Sequence, residues 1–310
     1  MRYTLRQLEV FLAVAKHDSV SQAAKDLGLS QSAVSEALAE LEHQFAIRLF
    51  ERLGKRLQLS ELGRILRPTA EALRAQASEL EAQLSGQTRF GVLRIGATLS
   101  IGDYLVPALM ARFMSEQPGA RVTLHVANTA DIAARVMNFE IDVGIVEGEL
   151  LEPELEVTRW RPDELVVFCA PGHPFTKKRS LNDKDLVTAR WIVREHGSGT
   201  RQAFERAMQG IMPDLDIALE LQHTEAIMNA VKAGLGVGCI SRIALQDALD
   251  RGSLVGCDVP ARSFQRHFFF VLHRRKFKSA GVRAWLDLCT RAAAEAEAQR
   301  RATSIPPRIG

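Results

Sequence analysis

The hydrophobic pattern divides the chain into two parts that differ in their period. From the amino terminus to about residue 84, apolar residues recur every three or four positions, which is the spacing of one helix face. From Val92 onward, short apolar runs alternate with helical stretches instead. Eight of these runs predict strands: VLRIGA, VTLHVA, DVGIVEG, ELVVFCA, WIVRE, IALEL, VGCIS and FFFVLH. The alternation of strands and helices predicts an α/β fold with largely parallel sheets.

Within the first part, residues 19–42 predict two short helices around a tight turn. Ser19 and Ser30 are placed to cap the two helices, and Gly28 supplies the left-handed residue that ends the first. The inner faces are apolar, whereas the second helix opens with short polar side chains: Gln31, Ser32, Ser35 and Glu36. An ordinary helical hairpin would fit this segment alone. The pattern is nevertheless that of a helix-turn-helix, whose second helix contacts base edges in the DNA major groove.

A basic segment follows these helices. The residues Arg48, Arg52, Lys55 and Arg56 lie close together in a predicted hairpin that turns near Gly54, opposed only by Glu51 and Glu61. A solvated basic loop is the alternative. Beside a DNA-contacting helix, however, the arginines and lysine are well placed to contact phosphates.

The sequence next predicts a long helix from Ser60 to about Leu84. Apolar residues repeat along it every seven positions, at Leu66, Leu73 and Leu80, with Ala70, Ala77 and Leu84 four residues after each. This repeat is typical of a coiled-coil seam, so we expect Leu66, Leu73, Leu80 and Leu84 to form a dimer interface. A single helix that packs on its own domain is the alternative. A dimer with two-fold symmetry would bind an inverted-repeat operator in double-stranded DNA.

Composition narrows the class of protein. The chain has 310 residues, of which 46% are hydrophobic and 25% charged, as in an ordinary soluble protein of more than one domain. Its net charge is only +3, so any basic surface must be local. We find neither a signal peptide nor an apolar run long enough to span a bilayer, and we expect a cytoplasmic protein without membrane contact.

The four cysteines do not predict a metal or cofactor site. They form no CxxC pair and are not near histidines at zinc-binding spacing: Cys169, Cys239, Cys257 and Cys289. Buried thiols in a reducing compartment are the expectation, and a redox-active pair is the alternative.

Polar residues that follow the predicted strands are candidates for a ligand site. They are Thr98, Ser100, Thr129, Glu147, His196, Ser198, Thr200 and Thr224. Helix starts present unpaired N–H groups and a partial positive charge, so hydroxyls there suit a small oxyanion or carboxylate. Arg201 is the nearest cation in sequence, with Glu147 opposing it. Each hydroxyl taken alone is explained better as a helix cap, and it is the set together that favours a ligand site.

The amino-terminal segment resembles that of LysR-type transcriptional regulators. The resemblance rests on the alanine pair Ala23–Ala24, on Ser30, Gln31, Ala33, Val34 and Ser35, and on the wing sequence RLFERLGKRLQLSELG at residues 48–63. It is dense to about Gly63 and looser over the rest of the chain. The family resemblance implies a ligand-responsive, sequence-specific DNA-binding regulator, with Arg52 as a DNA contact.

The same resemblance implies a domain organisation. It predicts a winged helix-turn-helix domain at residues 1–60, a linker helix at 61–88, and an effector-binding domain at 89–300. That last domain resembles periplasmic solute-binding proteins and has two α/β subdomains, one at 89–161 with 267–300 and one at 162–266. A disordered tail would occupy 301–310. The family pattern also places Thr98, Ser100, Thr129, Ser198 and Thr200 in the effector cleft and implies a homotetramer built from dimers.

Two other functions are weaker. A solute-binding protein would need a signal peptide and would have no use for a helix-turn-helix. An α/β enzyme would need a catalytic set, but we find no triad, metal set or paired carboxylates that converge by spacing. The segment GSGTR lacks the spacing of a P-loop. We therefore expect neither catalysis nor a bound metal, and we expect a small-molecule effector.

The polar face of the second helix generates the first prediction. We expect Gln31→Ala and Ser35→Ala each to weaken specific DNA binding, by about 1–3 kcal/mol for a lost bidentate base contact. The measurement is a titration of a labelled operator duplex, with circular dichroism to check the fold. Wild-type affinity in both variants would contradict the assignment.

Overall fold

The computed structural model describes residues 2–53, 56–84, 92–148 and 150–303. The amino-terminal domain consists of α1 (Leu5–His17), α2 (Val20–Leu27), α3 (Gln31–Phe45), β1 (Phe50–Leu53) and β2 (Arg56–Leu59). The predicted caps form, because the Ser19 side chain accepts a hydrogen bond from the N–H of Gln22 and Gly28 adopts a left-handed φ of 64°. The three helices enclose one core, in which Val10, Val14 and Val34 are fully buried. The predicted helical pair is therefore part of a packed domain.

A single helix of 24 residues, α4 (Glu61–Leu84), leaves this domain. The Ser60 hydroxyl accepts a hydrogen bond from the N–H of Gly63 and so caps the helix start. Along its length the predicted stripe stays exposed in one chain, by 37–80%: Leu66, Leu73, Leu80 and Leu84. Ala70 departs from the expected seam, because it is 4% exposed and packs into the amino-terminal core.

The rest of the chain alternates between strands and helices. Its elements are β3 (Val92–Thr98), α5 (Leu99–Tyr104), α6 (Val106–Glu116), β4 (Arg121–Ala127), α7 (Thr129–Met137), β5 (Val143–Val146), β6 (Leu155–Cys169), α8 (Asp183–Thr188), β7 (Arg190–Arg194), α9 (Gly199–Ala207), β8 (Asp216–Leu221), α10 (Thr224–Lys232), β9 (Val237–Ser241), α11 (Arg242–Asp250), β10 (Val255–Cys257), β11 (Gln265–His273) and α12 (Ala280–Thr303). Short 3-10 turns lie at Pro174–Lys177 and Met212–Asp214. All eight predicted apolar runs are strands.

Two long strands join the two halves of this α/β part. The strand order is β4-β3-β5-β11-β6-β9-β7-β8, and β10 also pairs with β6. The first part of β6 pairs with β11, whereas its last residues pair with β9 and β10. Strands at the two outer ends are parallel, but every pairing of β6 and β11 is antiparallel. The sheet is thus mixed rather than largely parallel, because the chain crosses twice between the halves.

Helices cover both faces of each half, so four hydrophobic clusters form in the α/β part. One of them contains the fully buried Trp285 of α12, which meets Phe113 of α6 edge to face. The predicted tail boundary at residue 301 falls inside α12, and residues 304–310 lie outside the described residues. None of the helices in the described ranges is long and apolar enough to cross a membrane.

The exposed stripe on α4 generates the second prediction. Leu73→Asp combined with Leu80→Asp would place four unpaired charges in the seam of a dimer, and burying such charges costs several kcal/mol. We expect a largely monomeric protein in sedimentation velocity that binds a full operator poorly. The control is Ser78→Asp, at an exposed position of the same helix outside the stripe. An unshifted sedimentation profile in the double variant would show that the dimer forms elsewhere.

Candidate functional site

The second helix of the helix-turn-helix turns its polar face to solvent. α3 begins directly after Ser30, whose side chain accepts a hydrogen bond from the N–H of Ala33. Val34 and Leu38 are buried in the amino-terminal core, which leaves the opposite face free. The four predicted base-contacting residues are all exposed: Gln31, Ser32, Ser35 and Glu36. The Ser32 hydroxyl lies 2.9 Å from that of Ser30, so it is held at the helix start.

The wing is attached to the end of the same helix. The carboxylate of Glu42 accepts a 2.6 Å hydrogen bond from the N–H of Leu49, directly before β1. β1 and β2 form the predicted antiparallel hairpin, and Arg52 is exposed on β1. Lys55 and the side chain of Arg56, which were predicted to contact DNA, lie outside the described residues. The polar helix face and the exposed arginine therefore belong to one rigid domain.

A second polar site lies where the strands of the α/β part end. Thr98 ends β3, Thr129 begins α7 after β4, and Thr224 begins α10 after β8. Each is at most 3% exposed, and none of the three hydroxyl oxygens has a hydrogen-bond partner among the described residues. Ser100 is equally buried, at 1%. A buried hydroxyl without a partner costs about 1–3 kcal/mol, so this set is typical of a binding site rather than of a core.

The start of α9 closes this site from the other half of the domain. The Ser198 side chain accepts a hydrogen bond from the N–H of Thr200, so it acts as the helix cap. The Thr200 hydroxyl donates to Glu147 at 3.4 Å, although Glu147 follows β5 in the opposite half. A Cβ on Gly199 would lie 2.4 Å from the backbone nitrogen of Gly148. Only glycine therefore permits the two halves to approach so closely at this edge of the cleft.

The two halves also meet through a tyrosine. The hydroxyl of Tyr104, at the end of α5, donates a 2.5 Å hydrogen bond to Glu225 in the first turn of α10. Together with the contact between Thr200 and Glu147, this bond joins the two halves at two places. The hydroxyls of Thr98, Thr129 and Thr224 lie at the strand ends that line this cleft.

A buried ionic cluster forms the base of the cleft. Arg266 on β11 is the register partner of Asp163 on β6, and its Nε donates to that carboxylate at 2.6 Å. Its Nη1 donates to the Thr200 hydroxyl at 3.0 Å, and the Ser241 hydroxyl donates to Asp163 at 2.8 Å. The remaining nitrogen, Nη2, lies 3.7 Å from Glu147 and has no hydrogen-bond partner in the described part of the chain. The cluster thus links both crossing strands to the cleft.

Burial is the main influence on the pKa of the Glu147 carboxyl. It raises the pKa of this carboxyl, and the positive charges of Arg266 and Arg194 oppose the shift only in part. One carboxylate oxygen, Oε2, is buried without a hydrogen-bond partner among the described residues. The buried Glu147 carboxyl therefore favours its protonated form more than an exposed glutamate does.

Arg266 was not among the residues predicted for the site, and Arg201 and His196 make their contacts elsewhere. Arg201, predicted as the nearest cation, instead donates to the Arg194 carbonyl oxygen and pairs with Glu205 and Glu220. The His196 side chain is 75% exposed and lies 3.9 Å from Glu220, so it is not part of the buried set. It lies in the turn at residues 196–197, at the surface. The only sequence signal for Arg266 is an isolated charge at the start of an apolar strand.

Metal binding has no basis in the residues that the structure describes. Among them, no group of three or more His, Cys, Asp or Glu side chains is arranged to hold a metal ion.

Two of the four cysteines lie close together. Cys169 and Cys257 are on paired strands, and their sulfur atoms are 3.6 Å apart.

A winged helix-turn-helix domain followed by a long helix and a two-part α/β domain around a polar cleft defines a class: DNA-binding regulators with a ligand-binding domain. Comparison with known families agrees with this class. The model of bacterial regulatory helix-turn-helix proteins of the lysR family matches residues 5–64, and the model of the LysR substrate-binding domain matches residues 86–294. The chain belongs to the LysR family of transcriptional regulators, and the resemblance seen in the sequence is confirmed.

Individual relatives agree over nearly the full length. The chain is 42% identical over 289 residues to the uncharacterised HTH-type transcriptional regulator YeiE of Escherichia coli K12, covering 93% of this chain and 98% of that protein. A full-length cysteine-to-aspartate variant of OxyR from Pseudomonas aeruginosa has the same fold, with a TM-score of 0.71 at 19% identity over 93% of this chain and 95% of that one. The regulatory domain of Synechocystis PCC6803 CcmR, solved in complex with 2-PG, matches with a TM-score of 0.61 and 28% identity over 66% of this chain and 97% of that one.

The buried cluster generates the third prediction. Arg266→Met would leave Asp163 and Glu147 buried without their cation, which typically costs about 3–5 kcal/mol of unfolding free energy. Losing Arg266 raises the pKa of Glu147 further, so the deficit should shrink as the pH falls and the carboxyl takes up a proton. The measurement is urea unfolding at several pH values.

The control for this experiment is Arg242→Met. Arg242 pairs with Glu164 at 2.9 Å, but the two side chains are 49% and 40% exposed. An exposed pair is worth only about 0–1 kcal/mol. Equal losses in the two variants, or a deficit in Arg266→Met that grows at low pH, would contradict the role given to the cluster.

Proposed function

We propose that a small oxyanion or carboxylate binds in the cleft and modulates the interaction of this regulator with DNA. The observation that carries the proposal is the set of buried hydroxyls without partners, among the described residues, on Thr98, Thr129 and Thr224. Hydroxyls donate to anions, and the start of each following helix adds N–H groups and a partial positive charge. The Nη2 of Arg266 lies 3.7 Å from Glu147 but has no hydrogen-bond partner among the described residues, so it supplies a further donor. The remaining predicted effector contacts are Ser100, Glu147, Ser198 and Thr200.

The charge balance of the cleft sets a condition on this ligand. Asp163 already offsets the charge of Arg266 at 2.6 Å, so an ionised Glu147 would leave the cluster with an excess negative charge. An anion is accommodated when Glu147 is protonated, since the carboxyl then donates a hydrogen bond instead of repelling the ligand. Burial favours this form by raising the pKa of Glu147. Anion binding should therefore take up a proton.

Similarity to a protein with a known ligand supports a small-molecule effector. The CcmR regulatory domain matches this chain over its α/β part and was solved with 2-PG. His196 is omitted from the proposed contacts, because its side chain points away from the buried set.

For DNA binding, we propose that Gln31, Ser32, Ser35 and Glu36 face base edges, and that Arg52, Lys55 and Arg56 contact phosphates. The exposure of the α3 polar face and of Arg52 supports this assignment. The exposed leucine stripe on α4 supports a dimer with two-fold symmetry, which would bind an inverted repeat. Dimers would pair into a homotetramer, as the family resemblance implies.

The proposed domain boundaries are those expected from the sequence, except that the effector-binding domain extends to Thr303, where α12 ends. The linker helix at 61–88 separates it from the DNA-binding domain. We further propose that the chain works in the cytoplasm, has no catalytic activity and requires no cofactor. The effector would favour one closure of the cleft and thereby change the spacing of two DNA-binding domains in a dimer. A coupling free energy of about 1–3 kcal/mol is enough for such a response.

The cleft generates the fourth prediction. Thr98→Val and Thr224→Val keep the side-chain shape but remove hydroxyls that lack partners in the described structure. Without ligand, each variant should be as stable as the wild type or up to about 1–3 kcal/mol more stable, because a buried unpaired group is lost. The stabilisation by small inorganic anions and carboxylates should fall at the same time. Thermal shift with an anion panel at several pH values measures both.

The anion effect should strengthen as the pH falls towards the raised pKa of Glu147, because the bound form holds the proton more tightly. The control is Thr123→Val, at an exposed position of β4 outside the cleft. If only cationic or hydrophobic compounds stabilise the protein, or if both cleft variants respond like the wild type, the anion site is wrong.

A further inference from the structure

A buried arginine joins the linker helix α4 to the α/β part. Two more exposed contacts accompany it, from Arg275 Nη1 to the Ile65 carbonyl oxygen at 3.5 Å and from Arg283 to Glu79 at 3.6 Å. The Nη2 of Arg67 donates a 2.6 Å hydrogen bond to the Asn138 carbonyl oxygen, and Nη1 lies 3.4 Å from the Asn138 side-chain oxygen. The guanidinium carbon is 5.9 Å from the centre of the Phe139 ring. Arg67 is 8% exposed, although it belongs to a helix whose other long side chains mostly face solvent. This contact joins residues 71 positions apart in the chain.

The partners of Arg67 stand at the carboxyl end of α7. Asn138 is the residue that ends this helix, and Phe139 follows with a left-handed φ of 57°. That conformation is unusual and strained for an aromatic residue, so the surroundings must hold it in place. The Phe139 ring stacks on His273 at 4.2 Å and lies 6.0 Å from the Lys276 ammonium, which is anchored to Asp142 at 2.5 Å.

The opposite end of α7 lies in the cleft. Asn128 caps the helix, and Thr129 carries one of the buried hydroxyls without a partner in the described structure. Both walls of the cleft touch this end. A Cβ on Gly197, before α9, would lie 3.6 Å from Ala130, and a Cβ on Gly148 would lie 2.9 Å from the Thr129 methyl. Any change in cleft closure therefore acts directly on the start of α7.

Between its two ends, α7 is a short rigid element. It has nine residues, so it spans about 13 Å at 1.5 Å per residue. It is packed against β5 without free space, since a Cβ on Gly144 would lie 3.0 Å from Ile132 and 3.1 Å from Val136. A helix held this way moves as a body, and displacement of its start displaces its end.

We propose that Arg67 is a positioning residue that couples the cleft to the DNA-binding domain, by holding the linker helix on the strained end of the helix that starts in the cleft. The proposal rests on the effector cleft proposed above. Coupling free energies are reciprocal, so DNA binding to the amino-terminal domain must in turn alter the start of α7. This reciprocity allows a test with DNA alone.

The experiment is hydrogen–deuterium exchange of the full chain with and without a duplex that the protein itself enriches from a random pool. In the wild type, the duplex should change amide exchange over residues 128–140. Arg67→Met should still bind the duplex, with its affinity changed by less than about threefold, but the exchange change over 128–140 should be lost. The control is Arg74→Met, because Arg74 lies on the same helix and pairs with Glu71. It should behave like the wild type.

Three results would overturn the proposal. Retention of the exchange change in Arg67→Met, or its absence from the wild type, would show that Arg67 does not couple the two sites. If Arg67→Met does not fold, Arg67→Gln is measured by the same criteria. Loss of duplex binding by both variants would make Arg67 a structural residue of the amino-terminal half. Because no anion is added, a failure of the anion site would leave this result unchanged.

Discussion

The pairing of Asp163 with Arg266 is the interaction on which the α/β part depends. The two residues lie opposite each other on the strands that cross between the halves, and both side chains are 1% exposed. Removing water from two charges costs free energy. In this arrangement, the hydrogen bond from Ser241 to Asp163 and the one from Arg266 to Thr200 offset that cost. Because the partners come from β6 and β11, the pair also fixes the register of the crossing, and with it the strand ends that form the cleft.

The cleft contains buried polar groups that lower the stability of the fold and are available to a ligand. Three threonine hydroxyls, one carboxylate oxygen of Glu147 and one nitrogen of Arg266 are buried without hydrogen-bond partners in the described structure. Groups of this kind are uncommon in packed interiors, because each loses its hydrogen bonds to water without replacement. Their concentration at strand ends on both sides of one cleft is difficult to explain by packing. A ligand that satisfies several of them would recover part of that lost free energy on binding.

The sequence predicted what depends on local signals. Caps such as Ser30, the left-handed Gly28 and the alternation of strands and helices are determined by residues within a few positions, and the structure contains all of them. The predicted positions of Thr98, Thr129 and Thr224 were also correct as helix starts. Their burial without described partners could not be predicted, because it depends on elements distant in sequence. The main contact that the sequence did not predict is long-range, because Arg266 meets an aspartate 103 residues earlier. Arg201, the cation nearest in sequence to the predicted site, donates to the Arg194 carbonyl oxygen.

The strained Phe139 follows from the same kind of constraint. A left-handed aromatic residue is unfavourable in isolation, so local sequence gives no reason to expect it. The cost is acceptable because Phe139 contacts His273 and Lys276 within the α/β part and Arg67 on the linker helix. Strain maintained by two separate parts of the molecule is sensitive to their relative position. That sensitivity is what a joint between a ligand-binding domain and a DNA-binding domain requires, since a shift at either side changes the free energy of the other.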